Sequence, residues 1–355
     1  MSFASNLMIW YREHGRDLPW RNTQDPYVIW LSEIILQQTR VEQGLPYFHR
    51  FLDAFPIVTK FAEAEEEDVL RLWQGLGYYS RARNMHKAAK MVISEFFGDF
   101  PTRYADAIRL PGVGEYTAAA IASFSVNEPK AVVDGNVYRV LSRYLGISEP
   151  INGSKGKKIF AELAQELLDV EHAATYNQAI MDFGALHCKP KKPLCGTCPF
   201  RLDCVARKEG LVDSLPVKLK GRASRDRYFH YFIIREDDNI LMSKRGTSDV
   251  WANLYEFPMI ETENDVDIDQ LRLLNDFSTY FFPNARLLEL GKVAKHILSH
   301  QNIYAKFYIL EDTDALRLKK SGWNYHLLEK IDTLAKHKLI FSFLEKNKQL
   351  INPKI

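Results

Sequence analysis

From Tyr27 to Leu36 the chain reads Tyr-Val-Ile-Trp-Leu-Ser-Glu-Ile-Ile-Leu, apolar around almost the whole circumference of a helix and broken by one ionisable residue, Glu33. Asp25-Pro26 just ahead suits an N-cap followed by a first helical residue, so a helix over residues 27–36 is predicted. The same 3.6-residue spacing dominates residues 1 to about 187. Its breaks fall at Asp25-Pro26, Gly75-Leu76-Gly77, Pro111-Gly112, Asp134-Gly135-Asn136 and Asn152-Gly153, which predicts an all-α domain. The periodicity stops between 205 and 227, where Arg207, Lys208, Lys218, Lys220, Arg222, Arg225 and Arg227 stand with Pro216 and Gly221, the signature of a basic linker. From Tyr228 the pattern changes again. Phe229–Ile234, a turn at Asp237-Asp238-Asn239 and Ile240-Leu241-Met242 predict a β-hairpin. A helix near residues 266–280, a strand-like run at 303–309 and a terminal helix complete a mixed α/β second domain. The expected division is 1–204, with a cysteine loop at 188–204, then the linker 205–227, then 228–355.

With 355 residues and 46% hydrophobic content the chain can fill two to three domain cores. It has no run of about 18 apolar residues, so no membrane span is expected. The helical pattern starts at the first residues with no charged-then-apolar leader, and a bacterial cytoplasmic protein, monomeric by default, is the expectation. The net charge of +2 is small, so any nucleic-acid affinity must come from a local patch.

All four cysteines, Cys188, Cys195, Cys198 and Cys204, lie within seventeen residues, spaced C-x6-C-x2-C-x5-C. In a reducing compartment two disulfides are disfavoured and a metal is favoured. Four thiolates suit a tetrahedral zinc or an iron–sulfur cluster. Only Cys195 and Cys198 form the short knuckle zinc sites usually pair, so the spacing leans towards a cluster.

Leu110-Pro111-Gly112-Val113-Gly114-Glu115-Tyr116 sits between a helical pattern that ends and an alanine-rich one that begins. Such a turn can aim the amides of Gly112, Val113 and Gly114 outward beside a positive helix N-terminus and bind an anion; it can equally just join two helices. Two carboxyls have contrasting settings. Glu33 has Ile29, Trp30, Leu36 and Gln37 as helical neighbours, and burial among them lifts its pKa towards a proton donor's, unless it lies on a solvated edge. Asp134 precedes a helical series and is expected to stay ionised near that helix N-terminus, or to serve only as its cap. Carboxyls pushed apart in pKa are what cleavage through a cation-like sugar requires.

A helix-hairpin-helix ahead of a four-cysteine cluster in an all-α domain resembles the DNA-repair glycosylase superfamily that includes endonuclease III. The resemblance sharpens to adenine DNA glycosylases of the MutY type on Leu18-Pro19-Trp20-Arg21, Ser32–Arg40, Gly75–Arg83, the Leu110–Ala118 hairpin, Val133–Val137, Asn177-Gln178-Ala179 and the cysteines, in order over residues 17–204. It implies a monofunctional enzyme that removes adenine mispaired with 8-oxoguanine or guanine in double-stranded DNA, with a [4Fe–4S] cluster on Cys188, Cys195, Cys198 and Cys204. It also implies Glu33 as proton donor, Asp134 as stabiliser of the sugar cation, and Tyr116 and Asn136 as their hydrogen-bonding partners. Trp20, Arg21 and Gln178 would form the adenine pocket, Gln38 and Tyr78 the wedge beside the lesion, and the hairpin a phosphate grip. In the lyase branch the hairpin position of Tyr116 is a lysine that forms an imine, which a phenol cannot.

The second domain resembles, more weakly, the Nudix-like domain of these enzymes, through Ile240–Arg245 and Trp251–Pro258. No Arg-Glu-x-x-Glu-Glu box follows Glu261, so nucleotide hydrolysis is not expected. The family's Phe-Ser-His lesion-reading loop appears as Leu298-Ser299-His300, with leucine where the family has phenylalanine. The fold expected is therefore an all-α helix-hairpin-helix glycosylase domain followed by an α/β Nudix-like domain. The competing readings are a bifunctional endonuclease III-type glycosylase/lyase acting on oxidised pyrimidines, a nucleotide-pool Nudix hydrolase, and a non-catalytic DNA-binding or redox iron–sulfur protein. Tyr116, the missing box, and the pair Glu33 and Asp134 argue against them in turn.

Overall fold

The computed structural model describes residues 2–221, 223–311, 316, 317 and 319–351, so Arg222 of the basic stretch lies outside the described residues. The chain forms two compact units, Met1–Ala64 with Asn84–Lys220, and Glu65–Arg83 with Gly221–Ile355.

The first unit is helical, as its periodicity predicts. In order come α1 (Phe3–His14), α2 (Pro26–Leu36), α3 (Val41–Ala54) and α4 (Val58–Glu63). After α5 (Glu66–Leu72), which belongs to the other unit, follow α6 (Ser80–Phe96), α7 (Tyr104–Ala107), α8 (Glu115–Val126), α9 (Gly135–Leu145), α10 (Ser154–Glu166), α11 (Ala173–Asp182) and α12 (Val205–Lys208). Asp25 caps α2 by accepting the Tyr27 amide at 2.9 Å, with Pro26 supplying the fixed φ of the first turn. Because α2 is apolar nearly all round, Ile29, Trp30, Leu31, Ile34 and Ile35 are all buried, and each such side chain contributes about 1.5–3 kcal/mol of apolar burial. A core of Leu7, Trp10, Val137, Leu141, Phe160, Tyr176 and Phe183 joins α1, α9, α10 and α11. From Phe183 to His187, α11 loosens into a π-type turn that delivers Cys188. Residues beyond α12 stay on this unit: Leu215 is buried with its carbonyl taken by Arg143 Nε at 3.0 Å, and the Val217 carbonyl accepts the Ile151 amide.

The second unit holds two sheets. One contains β1 (Arg225–Ile233), β5 (Met259–Thr262), β6 (Leu287–Glu289), β7 (Ala294–Ile297) and β8 (Gln301–Leu310); the other β2 (Arg235–Glu236), β3 (Asn239–Lys244), β4 (Tyr255–Glu256) and β9 (Trp323–Leu327). The turn expected at 237–239 is present, but the hairpin it closes is β2 with β3. Phe229–Ile233 of the expected arm instead lie in β1, parallel to β8 in the first sheet and antiparallel to β5, while Ile234 O accepts the Leu241 amide of β3. A continuous apolar run fits that place, because β1 is buried on both faces over its second half. The helix expected near 266–280 is two, α13 (Ile268–Arg272) and α14 (Asn275–Tyr280), separated at Leu273 and Leu274. The terminal helix is α15 (Lys338–Lys346), followed by the short α16 (Lys348–Ile351).

Candidate active site

A cavity of about 460 Å³ opens in the helical unit between α2, α8, α9 and α11, with Arg21, Glu33, Tyr116, Asp134, Asn136 and Gln178 in its lining. Glu33 is 6% exposed. Its Oε2 accepts the Tyr116 hydroxyl at 2.6 Å. Burial pushes the Glu33 carboxyl up to about 7, Asp134 adds to the rise, and the Tyr116 hydrogen bond and the Arg21 cation oppose it. A carboxyl so placed holds a proton near neutral pH and can give it up there. Burial and the neighbouring Glu33 and Asp134 raise the Tyr116 phenol well above its ordinary value, so it stays a hydrogen-bond donor.

Asp134 is the N-cap of α9. Its Oδ1 accepts the Asn136 and Val137 amides at 2.8 Å each, and its Oδ2 accepts Asn136 Nδ2 at 2.7 Å. The sequence expectation is a carboxyl that stays ionised near the helix N-terminus. Burial raises its pKa, and the three hydrogen bonds, each of which favours the ionised form, partly oppose that rise. Asn136 is itself held, because Arg139 one turn later donates from Nη2 to Asn136 Oδ1 at 2.8 Å. The same guanidinium reaches Gly184 O at 2.6 Å and, through Nε, Cys188 O at 2.7 Å. Gly184 admits this approach: a Cβ there would stand 2.6 Å from Asn136 Cβ. Arg139 was not singled out from sequence, although its helical spacing from Asn136 puts it on the same face.

Arg21 lies on the cavity wall because Asp182, fully buried at the end of α11, grips it from two oxygens at 2.6 and 2.7 Å. Asp182 also accepts Arg16 through both its guanidinium and its backbone amide. Trp20 is buried edge-on against Phe48, and Gln178 Oε1 accepts the Tyr11 hydroxyl at 2.9 Å. Asp182, Arg16 and Tyr11 carry no motif of their own, and only the fold brings them to the site.

The hairpin runs from α7 to α8. Gly112 sits at φ +79°, a region glycine adopts freely, and a Cβ there would meet Asn84 Cβ at 2.8 Å. The Val113 amide, expected to face outward, closes the turn on Leu110 O at 3.0 Å. Gln38, exposed just after α2, is held at φ +56°, and Tyr78 in the second unit at φ +49°. Positive φ is uncommon for residues other than glycine.

In the second unit a cavity of about 350 Å³ is lined by Tyr78, Arg83, Trp251, Leu298, Ser299 and His300. Tyr78 is 46% exposed and its hydroxyl lies 3.1 Å from Ser299 Oγ. The tyrosine therefore faces the cavity instead of filling a core.

The four cysteines are free, and all line one small cavity with Arg143, Arg201 and Arg207. Arg143 Nη1 is 3.6 Å from Cys188 Sγ, and Cys204 Sγ is 3.4 Å from Arg143 O. Among the described residues no three His, Cys, Asp or Glu side chains are close enough together to hold a single metal ion. No helix among them is long and apolar enough to cross a membrane.

Residues 31–168 match the family described as HhH-GPD superfamily base excision DNA repair protein, and residues 230–346 match the NUDIX domain family. The chain is 35% identical over 264 residues to the adenine DNA glycosylase of Buchnera aphidicola subsp. Acyrthosiphon pisum, covering 74% of this chain and 75% of that one. It is 33% identical over 364 residues to that of Mus musculus, covering 87% and 70%. Among solved structures, a thermostable thymine-DNA glycosylase aligns with a TM-score of 0.55 at 30% identity, over 58% of this chain and 95% of that one. A non-covalent endonuclease III–DNA complex aligns with a TM-score of 0.51 at 20% identity, over 59% and 94%, a likeness of fold. On these relatives the chain belongs to the adenine DNA glycosylases.

Proposed function

We propose that this chain removes adenine mispaired with 8-oxoguanine or guanine in double-stranded DNA and leaves an abasic site without cutting the strand. As an adenine DNA glycosylase of base excision repair it is a hydrolase of the N-glycosidic bond. The observation that carries the finer reading is the Tyr116–Glu33 hydrogen bond inside a cavity shared with Asp134. Protonated Glu33 gives its proton to adenine N7, and the electron pair of the glycosidic bond leaves with the base. Asp134 stabilises the oxocarbenium-like sugar. Water then adds to the anomeric carbon, and its proton returns to the Glu33 carboxylate, which restores the enzyme. Asn136, held by Arg139, fixes the Asp134 carboxylate. Tyr116 has no amine with which to form an imine, so the abasic product is left uncut.

Adenine must leave the stack first, at a cost of a few kcal/mol that a mispair lowers. Gln38 and Tyr78 take the wedge role, supported by their positive φ, while Trp20, Arg21 and Gln178 wall the adenine pocket. Ser299 and His300 read the lesion from the second unit, and Leu298 adds only an apolar surface. Gly112, Gly114 and the first turn of α8 present the hairpin to a phosphate, with Val113 closing the turn behind them. Cys188, Cys195, Cys198 and Cys204 fit a [4Fe–4S] cluster, because four free thiols share one cavity with arginines around it. When bound, the cluster supplies a covalent tie across the loop 188–204. The functional limits proposed are 1–204, 205–227 and 228–355, in a monomeric bacterial cytoplasmic protein.

The test is single-turnover reaction of end-labelled duplexes carrying adenine opposite 8-oxoguanine, adenine opposite guanine, and a normal pair, each with and without alkali. Adenine release with strand breakage only in alkali, faster opposite 8-oxoguanine, is expected. Breakage without alkali, or release of an oxidised pyrimidine in place of adenine, assigns the chain to the lyase branch.

A further inference from the structure

Residues 65–83 follow four helices of the first unit in sequence, yet they pack as part of the second. Polar contacts tie them to C-terminal residues. Glu66 Oε1 accepts Asn253 Nδ2 at 2.6 Å, Glu67 pairs with Lys244 at 3.3 Å, and Arg83 Nη1 donates to Ala252 O at 2.9 Å. The decisive pair converges on one residue. Gln74 Oε1 accepts the backbone amide of Lys336 at 3.0 Å, and the Tyr79 hydroxyl donates to the Lys336 carbonyl at 2.9 Å. Gln74 and Tyr79 bracket the loop Gly75–Tyr78, so both ends of that loop are tied to the backbone of one buried residue, one to its amide and the other to its carbonyl. Lys336 has 0% exposure, and its ammonium donates to Leu334 O at 2.7 Å and to Ile331 O, which pins the segment it belongs to. Within the loop, Trp73 Nε1 donates to Gly77 O at 2.8 Å and the Arg81 guanidinium lies over both the Trp73 and Tyr78 rings.

Gly75 and Gly77 take φ of +97° and +78° freely, but Tyr78 at +49° is in a region that side chains rarely adopt, so contacts from outside the loop help to hold it there. We propose that Lys336 is a positioning residue: through Gln74 and Tyr79 it sets the loop that brings the Tyr78 hydroxyl to Ser299. Preference for the lesion then depends on the anchoring of the loop as well as on the side chains that face the base. This rests on the reading of Tyr78 and Ser299 as the lesion-facing pair.

Tyr79→Phe removes the hydroxyl and keeps the ring, and Gln74→Leu cuts the other tie. Each is measured in the full-length protein for single-turnover excision of adenine opposite 8-oxoguanine and opposite guanine, with hydrogen exchange over residues 75–78. The expected result is a preference for 8-oxoguanine lowered roughly tenfold with excision opposite guanine unchanged, from the loss of one buried hydrogen bond. Faster exchange in the loop accompanies it. Combined with Ser299→Ala, Tyr79→Phe lowers the preference no further, because both act through the same contact. An unchanged preference, or an equal fall on both substrates, overturns the proposal. A wild-type protein with no preference overturns the lesion reading itself, and separates the two failures.

Discussion

The Tyr116 hydroxyl donates to Glu33 Oε2 at 2.6 Å, and this bond pulls the Glu33 pKa down while burial pushes it up to about 7. The acid must be protonated to act, so excision falls as pH rises above about 7. Tyr116→Phe removes the lowering contribution and leaves the desolvation. The alkaline fall should therefore move to higher pH even as the rate below it drops, by roughly tenfold for a lost hydrogen bond to an ionisable group. Single-turnover rates of the two proteins between pH 5 and pH 9 test this, and a fall that moves to lower pH or stays in place rejects it.

Glu33 also costs the protein stability. Its pKa is raised from 4.5 to about 7 in the folded state, so between those values the folded chain keeps a proton that the unfolded chain has released. Stability then drops as pH rises through that window, and above it ionised Glu33 is a burden of about 1–3 kcal/mol. Glu33→Gln keeps an acceptor for Tyr116 and removes the ionisation. It should melt higher than the wild type at pH 8 and no higher at pH 4, while losing roughly 10²–10⁴-fold in excision as a proton donor's absence demands. Equal melting temperatures at pH 8 count against the burial argument.

Asp134 has two jobs that one substitution separates. As a cap it accepts the Asn136 and Val137 amides, and asparagine caps about as well as aspartate. In the proposed mechanism its charge stabilises the sugar cation, which asparagine cannot do. Asp134→Asn should fold, bind mispaired duplex and melt near the wild type, with excision lowered roughly 10³-fold. A gel-shift titration beside single-turnover kinetics checks both halves, and native-rate excision removes Asp134 from the mechanism.

The helices of the first unit were legible because their signals are local: Asp25-Pro26 starts α2, Asp134 caps α9, and the apolar circumference of α2 announces the burial of Glu33. Tyr116 was legible as a residue in a recognisable turn. The raised pKa of Asp134 was not, since it depends on what other helices place over the cap. Nor was Asp182, which reaches Arg16 and Arg21 across more than 160 positions. The run Phe229–Ile234 reads as one arm of a hairpin because it is apolar and precedes a turn; the partners of the strand it falls in, β5 and β8, lie further along the chain and leave no mark in the run itself. The attachment of residues 65–83 to the second unit depends on the backbone of Lys336, which side-chain patterns do not record.

Asp182 is the remaining test of how the adenine pocket is held. The Arg16 and Arg21 guanidiniums lower its pKa below the usual carboxylate value despite burial. Its contribution to stability is therefore present above the unfolded pKa and is lost as pH falls through the lower folded one. Asp182→Asn leaves two guanidiniums facing a neutral amide in a site with 0% exposure, and Arg21, itself 10% exposed, has little access to water. Removing one partner of such a buried pair costs about 3–5 kcal/mol. Replacing Asp182 and its more buried partner, as Asp182→Leu with Arg21→Met, leaves only the 30% exposed Arg16 without its carboxylate and should recover part of that loss, since apolar groups of similar volume substitute well for a buried pair. Excision should not recover with it, because Arg21 is a cation beside Glu33 on the cavity wall. Thermal melts of the single and double variants read the first effect and single-turnover excision the second. Full activity in the double variant means that Arg21 only fills space there.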